Sequence, residues 1–168
     1  MDDETPELTL DYIRYVLAED IRSDAGPGKE TGAFNREFVK TFRENEGTMP
    51  GDLANAPWML LTTTGAKSGK QRTIPLTYFE RDGRFLIVAS KGGALTHPAW
   101  FHNLVANPGV VAEYGGEHKG VPVEATAVVL EGDERDQVFE WIKATNPTFA
   151  KYESRTNRTI PVVELKAE

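Results

Sequence analysis

Apolar residues recur every three to four positions in two stretches before residue 45. Leu8, Tyr12, Ile13, Val16 and Leu17 share one face over 6–21, and Phe34, Phe38, Val39 and Phe42 form a second stripe that ends near Glu46-Gly47. That period predicts two amphipathic helices, parted by Gly26-Pro27-Gly28 within a helix-breaking stretch at 23–32. Such stripes normally pack on a core; a lid over a ligand or a membrane-touching surface is the less common use.

From residue 58 the pattern turns to β. Trp58-Met59-Leu60-Leu61-Thr62-Thr63-Thr64 reads as a buried strand and residues 72–80 as a second, and Arg81-Asp82-Gly83 makes an Asp-Gly hairpin turn into a third over 84–90. These three strands are expected to form a meander. A short helix follows, with Pro98 in its first turn, Trp100, Phe101, Leu104 and Val105 on its apolar side, and Asn107-Pro108 as its stop. Two more strands, 110–114 and 121–130, flank a polar turn. A helix then begins at Asp133, and a strand over 159–165 closes the chain. Meanders with helices inserted between strands predict an α+β barrel rather than a parallel sheet.

Composition narrows the field. A chain of 168 residues, 39% hydrophobic and 27% charged, is long enough to bury one core. It has no cysteine, which removes disulfides, thiol catalysis and cysteine-ligated metals and fits a reducing cytoplasm. The start, Met1-Asp2-Asp3-Glu4, is acidic where an export signal is basic. No apolar run approaches the roughly 20 residues that span a bilayer. A net charge of -7 argues against nucleic acid as a partner. His97, His102 and His118 have no zinc-like spacing and no evident carboxylate partner, so no metal site is expected.

Against that acidic background, Thr62-Thr63-Thr64-Gly65-Ala66-Lys67-Ser68-Gly69-Lys70-Gln71-Arg72 gathers three cations and two glycines between two strands. A nucleotide P-loop would need four residues between the glycines, a Ser or Thr after the lysine and a following helix. Here three residues intervene, Gln71 follows Lys70, and a strand comes next. The stretch keeps a more general ability: backbone N–H groups converging at glycines, with Lys67, Ser68 and Arg72 adding donors, can hold an anion. A solvated hairpin turn has the same composition, and spacing alone does not choose between the two. Ala89-Ser90-Lys91-Gly92-Gly93 is a second such cluster, between a strand end and the helix opening at Pro98, where free N–H groups favour negative charge. On neighbouring strands of one meander, the two would hold one phosphorylated ligand, its ring stacked near Trp100 unless Trp100 serves the core.

In order along the chain, these segments resemble the deazaflavin-dependent nitroreductase family of actinobacteria. The resemblance rests on Leu60-Leu61 and the loop just quoted, Pro75-Leu76, Ala89-Ser90-Lys91-Gly92-Gly93, Pro98-x-Trp100-x-x-Asn103-Leu104, Asn107-Pro108, and Tyr152-x-Ser154-x-Thr156-x-Arg158-Thr159-Ile160-Pro161. It implies a mostly antiparallel split β-barrel, like the FMN-binding split barrels, with inserted short helices; the two N-terminal helices read above, in an acidic stretch, depart from it. The barrel domain would span 58–168 behind a helical extension, 1–57.

The cofactor implied is coenzyme F420, a deazaflavin that carries a phosphodiester and an oligoglutamate tail. By motif position, Lys67, Ser68 and Arg72 would grip the phosphate and tail, with Lys70 at a position where the family varies. Ser90, Lys91, Gly92 and Gly93 would meet the phosphate and ribityl region, and Pro98 and Trp100 would lie beside the cofactor. Tyr152 is the candidate to line the substrate pocket or donate a proton, with a packing role as its alternative. The expected activity is F420H2-dependent hydride transfer to electron-poor rings: coumarin- or aflatoxin-like unsaturated lactones, quinones or nitroaromatics.

Thr77, Phe149 and Arg155 depart from the nitroimidazole-activating member, so a different pocket is expected. The alternatives are an FMN-dependent split-barrel oxidoreductase and a non-catalytic carrier of cofactor or lipid. The location expected is cytoplasmic, at most peripheral to a membrane, as a monomer or homodimer.

Overall fold

A computed structural model describes residues 29–168. The helix expected over 6–21 lies outside them.

The second phenylalanine stripe folds as expected. Helix α1, Lys29–Glu44, places Phe34, Phe38 and Phe42 four residues apart on one face, where they pack with Leu53 and Leu60 in a buried cluster. The rings of Phe38 and Trp58 meet edge to face at 4.9 Å. Arg43, on the last turn, forks onto Glu113 with hydrogen bonds of 3.0 and 2.9 Å and ties the helix to the sheet.

Seven strands make one sheet: β1 Trp58–Thr64, β2 Gln71–Thr77, β3 Phe79–Arg81, β4 Arg84–Val88, β5 Gly109–Tyr114, β6 Pro122–Val129 and β7 Val162–Ala167. Their order is β2-β1-β5-β6-β7-β4-β3, and every pairing is antiparallel. The two edge strands, β2 and β3, are consecutive in the chain with only Tyr78 between them. One residue cannot span a flat seven-stranded sheet, so the sheet must curl until its edges meet. Here the expected continuous strand over 72–80 is corrected. Tyr78 turns inward, buried, its N–H bonded to the Pro57 carbonyl and its hydroxyl to that of Gly115. Residues before it pair with β1 and residues after it pair with β4, which splits the barrel.

Antiparallel pairing also fixes the rims. Four reversals separate β1 from β4, so the two strands run in the same sense and their exits, after Thr64 and Val88, open at one rim. Alternate residues fill the interior: Met59 and Leu61 from β1, Ile87 from β4, Val110, Ala112 and Tyr114 from β5, Ala125 and Ala127 from β6, and Val163 and Leu165 from β7. Helix α2, Ala99–Ala106, adds Trp100 and Leu104 to the same cluster. The outward residues Leu86, Val88 and Val162 are covered by α3, Gly132–Thr145, and α4, Thr148–Ser154.

Helix α4 was not expected from sequence. Asn146-Pro147 stops α3, but Asn146 Oδ1 also accepts the Thr148 N–H at 3.1 Å, and so starts the next helix. The last strand begins three residues later than expected, because the segment ahead of it is held by Arg158 against the rim where β4 exits.

Candidate functional site

The cationic loop is a closed turn. Gly65 N–H donates to the Lys70 carbonyl at 2.8 Å, and Gly69 N–H donates to that of Gly65 at 3.0 Å. Ser68 Oγ accepts the Lys70 N–H at 3.2 Å, so this hydroxyl also shapes the loop and does not only face outward. Gly69 needs its positive φ of 69° to close the turn. Lys67, Lys70 and Arg72 are exposed, and none has a carboxylate within ion-pair distance among the described residues. In an acidic chain, two unpaired cations on the turn and a third at the start of β2 attract an anion.

Helix α2 holds this turn. Asn103 Oδ1 accepts the Ala66 N–H at 3.0 Å, and Asn103 Nδ2 donates to Thr63 Oγ1 at 3.3 Å. One turn later Asn107 Nδ2 donates to the Thr64 carbonyl at 3.3 Å. Thr63 faces Arg72 in the β1–β2 register, so the docked rim includes the strand that carries the third cation.

The second cluster is an anion nest by its backbone. Ser90 is right-handed (φ -77°, ψ -36°), whereas Lys91, Gly92 and Gly93 have φ of 45, 63 and 83°. A right-handed residue followed by left-handed ones turns successive N–H groups into one concavity. The N–H groups of Ser90, Lys91 and Gly92 have no acceptor among the described residues. Their carbonyls are held from behind. Arg158 donates to Ala89 O at 3.2 Å, Ser90 O at 2.7 Å and Ala94 O at 2.8 Å, and Arg155 donates to Gly92 O at 3.3 Å. Gly93 packs against α4 so closely that a Cβ there would lie 2.6 Å from the Tyr152 carbonyl oxygen.

Arg158 also meets Nδ1 of His97 at 2.8 Å. A guanidinium can only donate, so Nδ1 is the unprotonated acceptor. Burial, then the charges of Arg158 and His102, lower the His97 pKa from its ordinary value.

The residues expected from sequence therefore gather at one rim, with a correction to how they do so. The two clusters do not sit on neighbouring strands of one meander: β5, β6 and β7 lie between β1 and β4. Barrel curvature and α2 bring them together, Asn103 gripping one loop while the other leads into Pro98 at the helix start. Pro98 is buried, and Trp100, 8% exposed, lies in the barrel core. Tyr152 packs its ring on Phe149, with the Arg155 guanidinium over it at 5.7 Å, and its backbone supports Gly93.

Sequence reasoning missed Asn103, Arg155, Arg158 and His97 as contributors. Asn103 and Arg158 were present in the motif segments, but nothing in their spacing revealed what they bond. It also gave His118 no carboxylate partner. Its Nε2 lies 3.2 Å from Glu80 and 3.7 Å from Glu117, because the closing edge strand brings Glu80 beside the β5–β6 turn. Glu80, Glu117 and His118 are the one group of potential ligands close enough for a metal among the described residues, and the hydrogen bond between His118 and Glu80 holds them together.

A curled seven-stranded antiparallel sheet with a cationic rim is the split-barrel architecture that this chain shares with F420-H2 dependent reductases. The profile of the F420H(2)-dependent quinone reductases matches residues 34–167, and the chain belongs to that family. An F420H(2)-dependent quinone reductase of Mycobacterium tuberculosis strain H37Rv is 43% identical over 128 residues, covering 74% of this chain and 83% of the relative. Among solved structures, an F420-H2 dependent reductase (FDR-A) is 41% identical with a TM-score of 0.58, covering 66% of this chain and 94% of its own. A second, described as a domain-swapped dimer, is 39% identical with a TM-score of 0.60, covering 78% and 93%. No helix among the described residues is long and apolar enough to cross a membrane.

Proposed function

We propose that this rim binds coenzyme F420 and that the chain is an F420H2-dependent reductase of quinones. The observation that carries this reading is the meeting at one rim of a backbone anion nest at 90–92 and a turn bearing Lys67 and Lys70, with Arg72 beside it at the start of β2. The two suit the two anionic parts of one ligand. The nest N–H groups, with Lys91, take the phosphodiester; the three exposed cations take the acidic tail. FMN has a phosphate but no such tail, and would leave the turn without a purpose.

When bound, the reduced cofactor supplies a hydride from carbon 5 of its deazaflavin, and a quinone that takes this hydride and one proton leaves as the hydroquinone. The protein's share is binding, orientation and dryness. Trp100 and Leu104 close the barrel beneath the rim and keep water from reaching it through the interior. The nest and the turn fix the anionic end, which limits where the ring can lie. Tyr152 is offered as a pocket-lining residue or proton donor, since its hydroxyl has no hydrogen-bond partner among the described residues. Unsaturated lactones and nitroaromatics are further electron-poor rings of the same reactivity. The relative's domain-swapped assembly makes a homodimer the assembly to test.

A fluorescence titration with F420 and, separately, FMN tests the cofactor, and oxidation of F420H2 by a soluble naphthoquinone tests the reaction. Tight F420 binding that weakens several-fold in Lys67→Ala, with melting temperature unchanged, is expected. Submicromolar FMN binding without an F420 response overturns the reading. F420 binding without turnover by any quinone, lactone or nitro compound favours the carrier alternative.

A further inference from the structure

We propose that Arg158 is a positioning residue for the cofactor phosphate: it grips the carbonyls of the 89–94 segment from behind, and this turns the N–H groups of the nest outward. The inference rests on the reading of that nest as the phosphate site.

The argument begins with the peptide unit. In a planar trans peptide, the C=O of one residue and the N–H of the next point in opposite directions. Arg158 draws the Ala89 and Ser90 carbonyls to itself, at 3.2 and 2.7 Å. The N–H groups of Ser90 and Lys91 must then face away from it. Arg155 holds the Gly92 carbonyl, whose peptide partner, the Gly93 N–H, folds back onto Ser90 O at 2.9 Å, and a bond of 2.8 Å to Ala94 O anchors the far end of the segment. His97, the last acceptor, fixes the fork in its plane.

Two features show that this grip has work to do. Lys91 sits at a φ of 45°, a left-handed conformation that side-chain-bearing residues adopt at a cost, so without a clamp the segment would relax. And Arg158 has no carboxylate within ion-pair distance among the described residues: backbone carbonyls and one imidazole satisfy its charge. Four of its five N–H groups are committed to a single loop. Its charge also lies directly behind the nest, where it adds attraction for the anion in front. Lysine cannot replace it, because one ammonium cannot fork across acceptors spread over 89–97.

Arg158→Lys is therefore the test, with Lys67→Ala and Lys91→Ala as comparators. Backbone amide exchange over 89–97 in the cofactor-free protein reads loop order, fluorescence titration reads F420 affinity, and steady-state assays separate KM from kcat. Arg158→Lys should accelerate exchange in 89–97 alone, weaken F420 about tenfold or more, and raise the KM for F420H2 while kcat at saturation holds. Lys67→Ala should weaken F420 without touching exchange. Unchanged exchange and unchanged affinity in Arg158→Lys would overturn the proposal. Faster exchange with F420 affinity intact in both Arg158→Lys and Lys91→Ala would overturn it through the site it serves, since the nest would then not be the phosphate site. If Arg158→Lys does not fold, His97→Leu removes one anchor of the same fork. It should shift both readouts in the same direction by less, and no shift in either would overturn the proposal.

Discussion

Asn103 joins the cationic rim to the barrel: its Oδ1 accepts the Ala66 N–H at 3.0 Å while its Nδ2 donates to Thr63 Oγ1 at 3.3 Å. One amide side chain on α2 thus sets where the cationic turn sits relative to the strand beneath it. Each of the two bonds contributes about 1 kcal/mol net. Asn103→Ala should loosen the turn, with a thermal shift of a few degrees and several-fold weaker F420 binding by fluorescence titration. Asn103→Asp is more discriminating. It keeps the acceptor for Ala66 but sets a negative charge beside the turn. We expect Asn103→Asp to melt near wild type and bind F420 more weakly than Asn103→Ala, with the gap between them narrowing in high salt.

Gly93 and Gly69 offer a paired test of where glycine is required. Both have positive φ, 83 and 69°. A Cβ on Gly69 meets nothing within 4 Å, whereas one on Gly93 would lie 2.6 Å from the Tyr152 carbonyl oxygen and 2.9 Å from the Arg155 Cβ. Gly69→Ala should cost about 1–2 kcal/mol, the left-handed penalty alone. Gly93→Ala adds a backbone clash and should cost roughly 3–5 kcal/mol, at the upper end for single substitutions. Urea denaturation of the two variants checks the difference; equal costs would mean α4 yields easily.

What the sequence revealed and what it hid divide along physical lines. The phenylalanine stripe of α1 and the Asp-Gly turn at 82–83 were legible because helical periodicity and left-handed turn chemistry are local signals. The cationic turn was legible because Lys67, Lys70 and Arg72 stand out in an acidic chain. Barrel closure was not: Tyr78 reads as one more residue in a continuous strand, and only the pairing on either side of it shows that β2 and β3 are opposite edges. The grip of Arg158 on Ser90 joins residues 68 apart, and that of Asn103 on Ala66 joins residues 37 apart. Spacing carries no signal for such contacts.

Arg43 and Glu113 illustrate the same blindness and yield a stability prediction. Glu113 is 4% exposed on the outer face of β5, and its fork partner reaches it from α1. Removing the cation strands a buried carboxylate. Because the Arg43 side chain is itself 51% exposed, water can partly replace it, so Arg43→Ala should cost about 1–3 kcal/mol rather than the full penalty of an isolated charge. Glu113→Gln in the Arg43→Ala background should recover part of that loss in a denaturant titration, since a neutral amide is cheaper to bury.

His97 gives the rim a pH dependence whose sign follows from its contacts. Its Nδ1 accepts from Arg158 at 2.8 Å, and the ring packs against Phe101 at 4.8 Å with His102 at 5.8 Å. Protonating Nδ1 would break that bond and place a cation against a guanidinium. The folded pKa is accordingly lowered from 6.5, first by burial, then by Arg158, then by His102. The unfolded chain therefore binds this proton more readily than the native state. The stabilisation is complete above the ordinary value of 6.5 and is lost as pH falls from there towards the depressed folded value. Melting temperatures measured from pH 7.5 down to about 5 should fall in wild type. The fall should be shallower in His97→Gln, whose amide oxygen can accept from Arg158 without titrating. Amide exchange over 89–97 should rise over the same window, as the fork behind the nest loses its outer anchor. Identical pH slopes in the two proteins would remove His97 as the group responsible.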